Sequence, residues 1–125
     1  MNELTMIYKI EENAQKVKIL GEEFVNNNKD NCKIVIDGEE KEISIELELP
    51  ENLKNKKLLE IKLIEYKTIN DMMCMFADCT SLLHLPNFNK WNTSNATSLR
   101  SIFFGCSSLS VPDISKWDTS NVINM

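Results

Sequence analysis

The sequence is poor in the residues that most enzymes and nucleic-acid binders depend on. It contains one histidine, His84, no Gly-x-Ser-x-Gly or phosphate-binding loop, and carboxylates scattered along the chain. No constellation of nucleophile, base and orienting group emerges, so an enzyme is not expected, and no cofactor or metal is implied. Basic residues number 14 against 19 acidic ones, for a net charge of −5 and a pI near 4.9. A phosphate backbone requires a clustered basic surface, so nucleic acid is excluded as a partner. No apolar run approaches the ~18 residues of a membrane span. The N-terminus, Met1-Asn2-Glu3-Leu4-Thr5, has neither the basic region nor the apolar core of a secretory signal, which favours a cytoplasmic protein.

What the chain does contain is one unit written twice. Residues 72–82 (MMCMFADCTSL) recur 27 positions later as residues 99–109 (LRSIFFGCSSL). Residues 86–95 (PNFNKWNTSN) recur 26 positions later as residues 112–121 (PDISKWDTSN). A third copy begins at Val122, with Met125 where Met72 and Leu99 stand. A period of this length is the signature of a stacked repeat array, in which each unit buries its apolar side against its neighbours.

Met72, Met75, Phe76 and Cys79 fall at i, i+3, i+4 and i+7, as do Leu99, Ile102, Phe103 and Cys106. That spacing predicts a two-turn helix in each copy with one apolar face. Asn70 or Asp71 would cap the first helix, and Thr97 or Ser98 the second. Gly105 would close the second helix in a left-handed conformation, with Asp78 less comfortable at the same place. The stretches Leu82–Phe88 and Leu109–Ile114 read as short strands, interrupted by Pro86 and Pro112. Trp91 and Trp117 would form a packing column. The Asn-Thr-Ser-Asn and Asp-Thr-Ser-Asn segments read as turns, although Asn92-Thr93-Ser94 and Asn95-Ala96-Thr97 also match the glycosylation pattern.

The first 66 residues hold no copy of the unit. Alternating apolar residues predict strands at Met6–Ile10, Val17–Leu20, Cys32–Ile36, Glu42–Leu49 and Leu58–Ile64, with a short helix over Gly21–Asn28. Asp37-Gly38 predicts a tight turn, and Pro50–Lys57 a polar connection. The domain expectation is a β-rich cap over residues 1–66 followed by repeats over residues 67–125. The fold expectation is α+β: a small β-rich N-terminal cap and a short leucine-rich-repeat-like solenoid of about two and a half strand/helix units.

The four cysteines, Cys32, Cys74, Cys79 and Cys106, admit three readings. Repeat position makes Cys79 and Cys106 members of a packed core column. A disulfide would need a secreted context, and zinc held by Cys74, Cys79, His84 and Cys106 matches no standard ligand spacing.

The blocks Met-x-x-Met-Phe-x-x-Cys-x-Ser-Leu and Trp-Asn/Asp-Thr-Ser-Asn resemble the BspA-like leucine-rich-repeat proteins, which carry a 26-residue surface-protein repeat of the Mycoplasma-lipoprotein type. The resemblance covers Asn70–Met125. The segment Ile19–Val25 with Asn28 and Cys32–Ile34 looks like the leader preceding such repeats. The resemblance implies a strand-and-helix solenoid, a role in binding proteins or surfaces, and a place at the cell surface, although neither a signal nor a lipobox cysteine is present. The expectation is a non-enzymatic protein-protein interaction module, the alternatives being a structural subunit of a larger assembly or an adhesion protein. Its recognition surface would lie on the extended segments, at His84, Asn87, Asn89 and Lys90 and at Asp113, Ser115 and Lys116. An open last repeat would also expose Ile102, Phe103 and Leu109 and favour self-association.

Overall fold

A computed structural model of the chain describes residues 2–110. The strands are β1 (Glu3–Lys9), β2 (Lys16–Lys18), β3 (Cys32–Ile36), β4 (Glu39–Glu42), β5 (Glu46–Glu48), β6 (Leu58–Glu65) and β7 (Leu82–His84); all but β4 fall in stretches expected to be extended, with adjusted ends. The short helix α1 spans Glu22–Asn28, and a single turn, α2 (Glu51–Lys54), occupies the polar connection. Strands β4-β3-β6-β1-β7 make one antiparallel sheet in that order, and β2 pairs with β5 in a second. The period of two decides which face is inside: Leu4, Met6 and Tyr8 of β1 are buried, as are Ile34 of β3 and Leu59, Ile61 and Leu63 of β6. Asp37 and Gly38 both take positive φ (51° and 76°), which lets two residues turn β3 into β4. The edge strand β4, Glu-Glu-Lys-Glu, is exposed throughout, and its charge opposes further strand pairing.

The solenoid expectation is wrong. The described residues form a small β-rich unit of antiparallel sheets with few helices, and they are not a leucine-rich-repeat solenoid. Residues 72–79 and 99–106 are successions of turns rather than helices. Within the first copy, the N–H groups of Met75, Ala77 and Cys79 reach back three residues to the carbonyls of Met72, Cys74 and Phe76 (3.3, 3.0 and 3.0 Å). The alternate N–H groups, those of Met72, Cys74, Phe76 and Asp78, point across to the second copy instead. They meet the carbonyls of Ser98, Arg100, Ile102 and Phe104 at 3.0, 2.9, 2.9 and 2.6 Å. A helix cannot do this, because every interior N–H would be committed to the carbonyl four residues before it. Positive φ at Cys74 (58°) and Asp78 (62°), repeated at Ser101 (54°) and Gly105 (76°), breaks the helical path at equivalent places.

The predicted capping residues act, but on turns: Asp71 Oδ1 accepts the Met73 N–H at 2.9 Å, and Ser98 Oγ accepts that of Arg100 at 3.4 Å. The i, i+3, i+4, i+7 residues Met72, Met75, Phe76 and Cys79 are fully buried, so the apolar face exists without the helix. The three-residue β7 joins β1 antiparallel, pairing Ile7 with His84 and Tyr8 with Leu82. Residues on both sides of position 66 therefore share one sheet and one hydrophobic core. Pro112, Ile114, Trp117, Val122 and Met125 lie outside the described residues.

The helix α1 binds the first copy. The Gly21 N–H donates to the Met75 carbonyl (2.8 Å), and Asn28 Nδ2 donates to the Asp71 carbonyl (2.9 Å) while also bonding the Phe24 carbonyl (3.1 Å). Asn27 Nδ2 reaches the Asp71 carboxylate at 3.1 Å. Phe24 and Val25 of α1 are buried in the common core.

Candidate partner-binding surface

The segment following β7 is fixed from beneath by Leu85, Phe88 and Trp91, all buried. Their spacing of three fits the 3-10 turn at Phe88–Lys90, which brings every third side chain to one side. Phe88 meets Phe103 of the second copy edge-on (5.4 Å between centroids), and Phe103 stacks on Phe76 (6.1 Å, planes 4° apart). The aromatic contacts thus lock the turn to both copies.

His84 is exposed on the edge strand, and Lys90 is exposed at the end of the turn. Asn89 is half-buried between them in sequence. Asn87 is a structural residue: its Oδ1 accepts the Thr5 N–H at 2.9 Å and so continues the β1–β7 ladder past the last strand residue. Asp113, Ser115 and Lys116 lie outside the described residues. Below this segment, Asn92 Oδ1 accepts the Ser94 N–H at 2.9 Å, which makes the Asn-Thr-Ser stretch a side-chain-closed turn. Asn2 Oδ1 accepts the Asn92 N–H at 3.1 Å and ties the turn to the start of β1.

A feature missed by sequence reasoning lies among the repeat turns. Phe104, at the repeat position of Ala77, is 67% exposed and borders a shallow pocket of about 290 Å³ with Lys18, Glu22, Glu23 and Cys74. Phe104 falls off the i, i+3, i+4, i+7 series, and that misfit was the available signal. The larger cleft, about 720 Å³, runs between the Ile10–Gln15 loop and residues 51–57, where Lys54 already bonds Glu51 and Gln15 (both 3.0 Å).

The cysteines differ in environment. Among the described residues no disulfide joins them, and no three His, Cys, Asp or Glu side chains converge on a possible metal position. Burial pushes the thiols of Cys32 and Cys79 up to about 12 and that of Cys106 up to about 11. Cys106 Sγ donates to the Phe76 carbonyl at 2.9 Å. Cys74 is half-exposed, its thiol raised first by desolvation and then by Glu23. Because the thiolate is the reactive form, native alkylation is expected at Cys74 first, with Cys32 and Cys79 protected until unfolding. Denaturing, non-reducing alkylation should label all four thiols. Mass spectrometry of intact and digested protein reads both outcomes, and early labelling of Cys79 would contradict the packing described.

No helix among the described residues is long and apolar enough to cross a membrane. No curated protein and no solved structure matches the chain. A family model described as "Mycoplasma protein of unknown function, DUF285" matches residues 48–125, which covers α2, β6, β7 and both copies of the unit, and the chain therefore belongs to that family.

Proposed function

We propose that this chain is a non-enzymatic protein-interaction module whose contact surface follows β7 and the turn after it. The observation that carries this reading is the division of labour among the segment's side chains. Leu85, Phe88 and Trp91 are spent on packing, Asn87 on the β1 ladder, and His84 and Lys90 are left exposed on a rigidly held backbone. Polar groups on a fixed scaffold bind with little ordering cost. The second copy carries Asp113, Ser115 and Lys116 at the sequence positions of Asn87, Asn89 and Lys90.

The test uses the whole chain as bait, with mass spectrometry of retained proteins, followed by a quadruple substitution of His84, Lys90, Asp113 and Lys116. A specific partner should be lost on substitution while the thermal midpoint stays unchanged; undiminished affinity would move the site elsewhere. Asn87 is left out because Asn87→Ala would strand the Thr5 N–H and lower stability by roughly 1–2 kcal/mol.

A second reading, a structural subunit of a larger assembly, is favoured by an asymmetry between the copies. Met75, Phe76, Cys79 and Leu82 are fully buried, whereas their counterparts Ile102, Phe103, Cys106 and Leu109 are only partly covered.

A further inference from the structure

The five-stranded sheet ends at β7 on one side and at β4 on the other. The two-residue turn at Asp37 and Gly38 pairs Ile36 with Glu39, and Ile34 with Lys41, through main-chain bonds. Glu40 and Glu42 alternate with these and direct their N–H and C=O groups away from β3. Among the described residues no donor or acceptor meets those groups. The side chains of β4 follow the same period. Glu40 and Glu42 stand on the face that carries Val35 and Lys33, their partners across the ladder. The Tyr66 hydroxyl donates to the Glu40 carboxylate at 2.6 Å, and Lys33 Nζ lies 3.8 Å from it, so this carboxylate is held in place. Glu39 and Lys41 border a groove on the other side, of about 420 Å³, whose walls include Ile36, Leu47, Leu49 and Leu53.

We propose that β4 is a docking edge for an extended segment of a partner protein in which basic and apolar residues alternate, added antiparallel as a sixth strand. Main-chain bonds to Glu40 and Glu42 supply affinity, and the alternate side chains select the partner. Residues opposite Glu40 and Glu42 share their face, so a lysine or arginine there meets a carboxylate. The residue between them falls on the groove side, over apolar walls. The chain already contains a pairing of this kind. β2, Lys16-Val17-Lys18, lies antiparallel to β5, Glu46-Leu47-Glu48, with each lysine opposite a glutamate and the valine opposite the leucine. Lys16 Nζ is 3.4 Å from the Glu46 carboxylate, diagonally across the pair. β2 is spent on that pairing, so a second copy of the chain does not supply the strand. Two β4 edges would set glutamate against glutamate. The charge that opposes strand pairing in general thus admits a basic strand. The inference does not depend on the role given to His84 and Lys90.

Amide hydrogen exchange of the full chain, read by NMR with an acetylated and amidated Lys-Val-Lys-Val-Lys peptide, tests it. In the free protein the amides of Glu40 and Glu42 should exchange faster than those of Glu39 and Lys41. At saturation the peptide should slow the Glu40 and Glu42 amides about tenfold or more and leave Glu39 and Lys41 unchanged. Strand addition requires that alternation, and attraction between charges alone does not produce it. A Lys-Lys-Lys-Val-Val peptide of the same composition should not give it. Glu40→Gln combined with Glu42→Gln should weaken binding about threefold or more at an unchanged thermal midpoint, because two cross-strand charge pairs are lost. The proposal is overturned if the alternating peptide leaves the Glu40 and Glu42 amides unslowed, or if the reordered peptide slows them equally. Undiminished binding by the double variant, or protection of both amides in the free chain by self-association, overturns it as well.

Discussion

Gly21→Ala should abolish the stable fold or cost at least about 3 kcal/mol, a result out of proportion to one methyl group on a surface helix. Gly21 has φ −71° and ψ 147°, a conformation alanine adopts freely, so the cost is one of space alone. A Cβ there would fall on the Cys74 carbonyl oxygen and crowd the Ala77 nitrogen, both backbone atoms of the first copy. Neither can yield without breaking the cross-copy bonds of Cys74 and Phe76 (both 2.9 Å) or the bond from Gly21 to Met75. Ordinary overpacking costs roughly 1–3 kcal/mol because side chains shift; here the obstacle is main chain. Chemical denaturation of the variant and of the wild type, compared at equal slope, reads the difference. A loss below about 0.5 kcal/mol, the range of neutral surface changes, would mean that α1 does not sit on the first copy.

Phe76→Ala should cost about 3–5 kcal/mol, as truncation of a fully buried aromatic does. Phe76 has no exposed surface, it stacks on Phe103, and its backbone carries both a cross-copy hydrogen bond and the acceptor for Cys106 Sγ. The resulting void lies where the two copies and the N-terminal sheet share one core, so collapse around it is restricted. Phe103→Ala removes the other ring of the stack, but Phe103 is half-exposed, so a smaller loss is expected. Equilibrium denaturation of the pair ranks them, and a larger loss at Phe103 would contradict the asymmetry between the copies.

The parts of the fold legible in the sequence are those decided by neighbours in the chain. β3 occupies the residues its alternation predicts, and β6 begins where expected, because a period of two on a half-buried sheet leaves little choice of register. The Asp37-Gly38 turn is likewise local chemistry. Of the Glu42–Leu49 stretch expected as one strand, Glu46–Glu48 pairs as β5 and Glu42 closes β4; the rest of β4 lies just before the stretch, since Glu39–Glu42 carries no apolar alternation to mark it as a strand.

The repeat forms turns where helices are expected because i, i+3, i+4, i+7 spacing also fits a chain of three-residue turns. The deciding feature is where the alternate N–H groups go, and their acceptors lie 26 residues away. Asp78 and Gly105 carried a local clue to left-handed backbone; Cys74 and Ser101 did not. In the candidate surface, the exposure of His84 and Lys90 follows from local pattern. The structural duty of Asn87 does not, since the N–H it receives belongs to Thr5, 82 residues earlier. The hold of Gly21 and Asn28 on the first copy is equally non-local.

The cross-copy backbone bonds hold the two copies together and set the carbonyl row on which α1 sits. Scalar couplings transmitted through hydrogen bonds, measured by NMR on isotope-labelled protein, observe these bonds directly. Couplings are predicted from the Cys74 nitrogen to the Arg100 carbonyl carbon, and from Phe76 to Ile102. Couplings from Phe76 to Met72 and from Ala77 to Met73, the i to i−4 pattern of a helix, would contradict the account.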